Sequence, residues 1–143
     1  MDPLSVTAAV VGIAAPAVHA IHLLSEDIQK IVDAPETLNS LRKNLLSVDQ
    51  ALASLQAVSD AQWKSLGDTV VSQSKAATTS CGESCDRFRT ALNRWTRHSE
   101  DGKLSLRDRA MVSFFRQGYI RSLSEQLQNC SIALISVTST ATL

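Results

Sequence analysis

Residues 1–24 read MDPLSVTAAVVGIAAPAVHAIHLL, and from Leu4 to Leu24 no side chain carries a charge. Such a run is a secretion signal, a membrane span or a helix that belongs to a folded domain. A signal peptide wants a basic n-region. Here the only charge before the apolar run is Asp2, and the first base is Lys30, so the cleavage-like triplet Val18-His19-Ala20 stands in the wrong context. A span needs about 20 apolar residues. The run has 21, but seven are Ala or Gly, and Ser5, Thr7, Pro16, His19 and His22 lower its insertion energy. The helix reading has local support: Asp2 is an N-cap residue type, and Pro3 follows at the first helical position, where its missing N–H costs nothing. One stripe runs Leu4, Ala8, Val11, Ala15, Val18, His22, and another runs Val10, Ala14, Ala17, Ile21, Leu24, Ile28, Ile31. A helix apolar on most of its circumference is either central in a bundle or embedded in lipid. The expectation is a central first helix, kinked at Pro16.

Working outward, Asp33-Ala34-Pro35-Glu36 predicts a second start with a capping box from Asp33 to Glu36. Leu38, Leu41, Leu45, Val48, Leu52 and Leu55 then recur at steps of three and four, opposite a polar face of Asn39, Arg42, Lys43, Asp49 and Gln56. Ser59 with Gln62 is a further capping box. After it Trp63, Leu66, Val70, Ala77, Cys81, Cys85, Phe88, Leu92 and Trp95 hold the same rhythm to about His98. Gly67 and Gly82 weaken that helix, and the stretch before Asp68 reads as a separate short turn. Residues 99–102 read as a loop, Ser105 with Asp108 as the last capping box, and the stripe Ile120, Leu123, Leu127, Cys130, Leu134, Val137 as the final helix, bent near Gln117-Gly118.

The fold predicted is all-α: an up-and-down bundle of four to five helices over residues 1–137, with 138–143 a frayed tail or the start of a linker. Composition agrees. Aromatic residues are 4% of the 143, so the core is aliphatic, and five Gly and three Pro are too few for the closely spaced turns of a sandwich or barrel.

The formal net charge is zero but unevenly placed. Residues 1–58 carry six acids and three bases, and residues 59–143 carry eight acids and eleven bases. Nine of those bases fall between Arg87 and Arg121, against Glu100, Asp101 and Asp108. This segment is either a solvated face partly neutralised by the acidic first helices or a surface for phosphate or anionic lipid. The aromatic residues among its arginines do not make a stacking platform, because Phe88 and Trp95 fall in phase with Leu92 on a core stripe; no nucleic-acid partner is expected.

Cys81, Cys85 and Cys130 are an odd set without the spacing of a secreted scaffold, and the chain reads as cytoplasmic. The three are assigned to packing rather than metal or redox use. His19 and His22 share a helical face but have no partner carboxylate in the run, and read as core or interface residues rather than metal ligands. No glycine-rich phosphate loop, zinc-protease histidine pair or serine elbow occurs. Neither an enzyme, a cofactor nor a small-molecule substrate is expected.

The opening MDPLSV, the DAP junction at 33–35, the leucine-rich second helix and the closing LSLRDRAMVSFFRQGYIRSLSEQLQNCSIAL together look familiar. The chain resembles the fungal N-terminal domain found ahead of STAND-type, NOD-like receptor and ankyrin-repeat architectures, including the azaphilone-cluster N-terminal type, grouped with HeLo-like domains. The resemblance implies the signalling or effector module of a larger receptor, with protein partners and homo-oligomers. It further implies recruitment to an anionic plasma membrane in regulated cell death. Carried onto this chain, the membrane-inserting helix would present Leu4, Val11, Val18, Ile21 and Leu24, and the face for anionic lipid or a partner would be Arg87, Arg89, Arg94 and Arg97. The plain alternative is a structural oligomerisation or adaptor bundle that never meets lipid.

Overall fold

The computed structural model describes residues 5–99, 103–105, 108–109, 111–112 and 116–143. Among them are five helices and no strand: α1 (Val6–Gln29), α2 (Glu36–Gln56), α3 (Asp60–Leu66), α4 (Asp68–Trp95) and α5 (Gln117–Ala141). The four long helices form a square in which α1 packs on α2 and α4, and α5 packs on the same two. Side-chain bonds give the directions. Thr7 reaches Val58 and Asp60, Asn44 reaches Ser124, and Gln126 reaches Ser84. Successive long helices therefore alternate up and down, and α3 carries the chain across the diagonal from α2 to α4. On α3, Trp63 is 1% exposed and plugs that end of the core.

The aliphatic stripes are the core. Leu38, Leu41, Leu45, Val48, Leu52 and Leu55 of α2 are all fully buried, as are Ile120, Leu127 and Leu134 of α5. The Ser59–Gln62 capping box forms in both directions. Gly67, at φ 94°, separates α3 from α4 in a left-handed conformation that favours glycine, whereas α4 runs unbroken through Gly82. Gly82 has its own reason to be glycine: a Cβ there would lie 3.0 Å from the Ala17 Cα, so α1 and α4 touch backbone to backbone.

Several expectations are corrected. Helix α1 is capped by Ser5, whose Oγ accepts from the Ala8 N–H, so the described helix opens later than Asp2-Pro3; those two residues and Leu4 lie outside the described residues. It is not central. Ala14, Ala17, Ile21, Leu24 and Ile28 face inward, while Ala8, Val11, Gly12, Ala15, Pro16, His19 and His22 are exposed. A corner helix with small apolar residues on its outer side satisfies the same sequence pattern as a central one. It also runs through Pro16 without interruption. The Gly12 carbonyl, deprived of its donor, belongs to an exposed residue and can turn to water.

Asp33 does not cap α2, whose N-cap is Pro35 with no side-chain bond. Its carboxylate instead accepts from the Leu104 N–H at 2.9 Å and pairs with the Arg109 guanidinium, tying the α4–α5 connection to the α1–α2 turn. Half of the last capping box forms: the Asp108 N–H donates to Ser105 Oγ, while the buried Asp108 carboxylate accepts from the His98 N–H and Ser99 Oγ. The phase change near Gln117-Gly118 is the start of α5 itself, just before which the Arg116 N–H donates to the Met111 carbonyl. Helix α5 continues to Ala141, whose carbonyl accepts from Gln62 Nε2 at 3.0 Å. Glu100–Gly102, Phe114 and Phe115 lie outside the described residues.

Candidate functional site

The arginine-rich segment is divided by helical phase. Arg87 and Arg94 are seven residues apart and share a face of α4, with Arg97 one further turn along. Arg89 is two residues from Arg87 and therefore points elsewhere: its Nε donates to Asp27 Oδ2 of α1 at 2.6 Å, an ion pair that ties α4 to α1. Of the four expected arginines the structure brings three to the groove between α4 and α5 and assigns the fourth to bundle packing.

That groove opens at the end where α4 stops and α5 begins. A cavity of about 380 Å³ is lined by Arg94, Trp95, Arg97, Arg116 and Tyr119, with Asp108 at its base. Past Tyr119 it continues into a second cavity of about 220 Å³, where Arg87, Ser84 and Gln126 stand. The walls are aromatic. Trp95 meets Phe88 edge-on at 5.5 Å and Tyr119 at 5.6 Å, and the Arg116 guanidinium lies 5.7 Å from the centre of the Trp95 ring. Phe88 is fully buried, as its stripe predicts. Trp95 is only partly buried and Tyr119 is 46% exposed, so both offer surface to the groove. Among the described residues no carboxylate stands within ion-pair distance of Arg87, Arg94, Arg97 or Arg116. Asp108 is 2% exposed, with its carboxylate occupied by His98 and Ser99.

The residues expected to enter a membrane do not form one face. Val11 is 38% exposed, Val18 is half-buried, Ile21 and Leu24 sit in the core, and Leu4 lies outside the described residues. Helix α1 nevertheless has a mean hydropathy of 1.7 over its most apolar window, of which only 28% is buried. The α1–α4 groove beside its outer face is lined by Gly12, Pro16, Glu83 and Asp86, so the apolar strip and the arginines lie on opposite sides of α4.

His19 and His22 are exposed rather than core, and His22 Nε2 stands 3.0 Å from Asp49 Oδ1 of α2. Among the described residues no group of three His, Cys, Asp or Glu side chains is placed to hold a metal. The cysteines are free and buried between α4 and α5. The Cys130 thiol favours the Cys81 thiolate, but the bond to Cys85, burial and the charge of Cys85 outweigh it and push Cys81 up to about 12. Cys130 is raised further, by its bond to Cys81 and then by burial. These are poor nucleophiles.

Sequence reasoning missed Arg116, Trp95 and Tyr119 as partners of Arg94 and Arg97. Their meeting depends on how α5 returns along α4, for which the chain carries no local signal.

A family model described as pigment biosynthesis cluster protein PigL N-terminal (PigL_N) matches residues 1–142, in line with the azaphilone-cluster type of the resemblance. No curated protein and no solved structure matches the chain significantly.

Proposed function

The chain belongs to the family of PigL-type N-terminal domains of pigment biosynthesis cluster proteins, and from this premise we infer a non-enzymatic signalling domain at the head of a larger fungal protein. It acts by binding at the cytoplasmic face of the plasma membrane. The observation that carries this reading is α1: a 24-residue helix whose most apolar window has a mean hydropathy of 1.7, with an outer strip of Ala8, Val11, Gly12, Ala15 and Pro16 left in solvent. Docking and insertion draw on different residues. The α4–α5 arginines supply the attraction to anionic headgroups, about 1 kcal/mol per basic residue near the surface. Insertion of α1 must expose Ile21 and Leu24 and break the Gly82–Ala17 contact, so it requires the bundle to open.

The test is a vesicle experiment on the full chain. Co-sedimentation with phosphatidylserine vesicles is expected at low salt, lost with Arg94→Gln and Arg97→Gln together and weakened as ionic strength shortens the Debye length. Dye release is expected only when α1 is free to leave, and a cross-link holding Ala17 to the α4 backbone suppresses release while sparing docking. Absence of binding by the folded parent removes the membrane reading.

One observation favours the adaptor reading instead: Ile132 and Ile135 of α5 are 67% and 50% exposed on its outer face, apolar groups that suit self-association. Sedimentation of the parent against Ile132→Glu separates the two, because a monomer that binds vesicles has no need of that face.

A further inference from the structure

We propose that the α4–α5 cavity is a specific site for a phosphate monoester, with Arg94, Arg97 and Arg116 as its ligand-binding residues. The proposal deepens the docking half of the reading above but rests on the groove alone, so it stands or fails independently of dye release.

The argument begins with charge. Three guanidinium groups line one cavity of about 380 Å³, and the carboxylate at its base, Asp108, already satisfies the His98 N–H and the Ser99 hydroxyl. Neighbouring like charges repel, and a dianion between them relieves that repulsion, which a neutral or cationic ligand cannot do. Geometry narrows the class. Arg94, in the last turn of α4, and Arg97, just past its end, line one wall, while Arg116 stands on the other with its guanidinium 5.7 Å from the centre of the Trp95 ring. Stacking holds that planar fork in place before a ligand arrives. A phosphate monoester offers three acceptor oxygens and close to two charges at neutral pH, matching three forks; a carboxylate offers two oxygens and one charge.

The surroundings say what bears the phosphate. The open side of the cavity passes Tyr119, half in solvent, into the second cavity with Ser84, Gln126 and Arg87. Hydroxyl, amide and guanidinium groups in that direction suit a polar, hydroxyl-rich body such as a polyol, either free in solution or as the headgroup of a phosphorylated lipid. This is a tertiary site, which is why the sequence by itself points to no small-molecule ligand.

The experiment titrates the full chain with inorganic pyrophosphate at low ionic strength, followed by calorimetry and by the two indole N–H resonances. Saturable binding is expected, with the Trp95 resonance shifting while that of Trp63, buried on α3 at the far end of the bundle, stays in place. Arg94→Gln, Arg97→Gln and Arg116→Gln are each expected to weaken binding about tenfold or more, as for loss of one charge-assisted bond. Lys43→Gln, which removes an exposed charge from α2, is expected to change it less than about twofold. Circular dichroism checks that each variant keeps its helix content. Vesicles containing phosphatidylinositol 4-phosphate, compared with phosphatidylserine vesicles of equal surface charge, identify the source. Preference for the phosphoinositide with arginine sensitivity assigns the site to a headgroup, and pyrophosphate binding without that preference assigns it to a soluble phosphate. The proposal is overturned by absence of saturable binding to either probe, by equal losses in Lys43→Gln and the groove variants, or by a shift of Trp63 in place of Trp95.

Discussion

Helix α4 is built differently on its two sides. Toward α1 it comes close enough that Gly82 and the Ala17 backbone leave no room for a methyl group. Charge on that side is acidic at Glu83 and Asp86, or paired, as Arg89 is with Asp27. Toward α5 the same helix stands off, leaving cavities of about 380, 220 and 360 Å³, the first two basic and the third lined by Leu66, Val70 and Val137. The α1 side gains from contact area, and its own groove, of about 320 Å³, is bordered by Glu83 and Asp86 rather than by arginines. The α5 side gives up contact area and keeps arginines whose charge no described carboxylate cancels. Stability and binding are therefore expected to respond to different substitutions, although both sides belong to one helix.

The hardest blow falls on the α1 side. Leu24 is fully buried, and Leu24→Asp places an unpaired carboxylate in the core, expected to cost about 4 kcal/mol or more. Val11, on the outer strip of the same helix, is 38% exposed, and Val11→Asp is expected to stay within about 1 kcal/mol. Urea midpoints of the two variants measure this directly. Similar losses at both positions would mean that α1 is enclosed after all.

Two glycines sharpen the comparison further. Gly82→Ala must push Ala17 away, and an overpacked contact of this kind costs about 1–3 kcal/mol. Gly118, at the start of α5, meets nothing within 4 Å and has no positive φ, so Gly118→Ala is expected to stabilise by about 0.5–1 kcal/mol through helix propensity alone. The opposite signs, read from thermal unfolding, are the signature of a closed and an open interface.

What the sequence made legible follows the range over which each interaction acts. The leucine stripe of α2, the Ser59–Gln62 box and the break at Gly67 depend on residues within a few positions, and all three stand in the structure. Asp33 departs from its capping pattern because its bonds to Leu104 and Arg109 span more than seventy residues, and no local rule detects such competitors for a capping carboxylate. The position of α1 is not legible because hydropathy counts apolar character and not size. Ala8, Gly12 and Ala15 are apolar yet too small for much to be lost by leaving them in water. For the site, helical phase alone would have separated Arg89 from Arg87 and Arg94, whereas Arg116 and Tyr119 enter only through the packing of α5 on α4.

The open side is closed at its middle, where Cys81 and Cys85 of α4 meet Cys130 of α5. An ordinary thiol ionises near 9.0, and in the folded chain Cys81 does so at about 12. Below about 9 both folded and unfolded chains keep this proton, and the stability it confers is complete. As the pH rises through that window the unfolded chain releases a proton that the folded chain retains, so stability falls by at most about 1.4 kcal/mol per pH unit for this group. Cys81→Ala is expected to flatten the decline seen above pH 9 relative to the parent, whatever its own loss of packing. Equal slopes in the two proteins would show that the thiols are not sealed between the helices.

The smallest effect separates the two sides most sharply. Arg94 and Arg97 are exposed, make no ion pair among the described residues and stand one turn apart with the same charge. Replacing both with Gln removes little buried area and relieves a repulsion; Arg97 lies past the end of α4, and at Arg94 helix propensity is nearly unchanged. The double variant is therefore expected to unfold within about 0.5 kcal/mol of the parent, on the stable side if at all. Low salt makes the gain larger and high salt erases it, because the repulsion lies in solvent and is screened over about 8 Å at physiological ionic strength. Arg89→Gln offers the contrast on the same helix. It leaves Asp27 with its partner gone in a half-buried interface, and a loss of about 1 kcal/mol is expected. If the Arg94, Arg97 double variant is destabilised as much as Arg89→Gln, the groove arginines support the fold and the assignment of that side to binding is wrong.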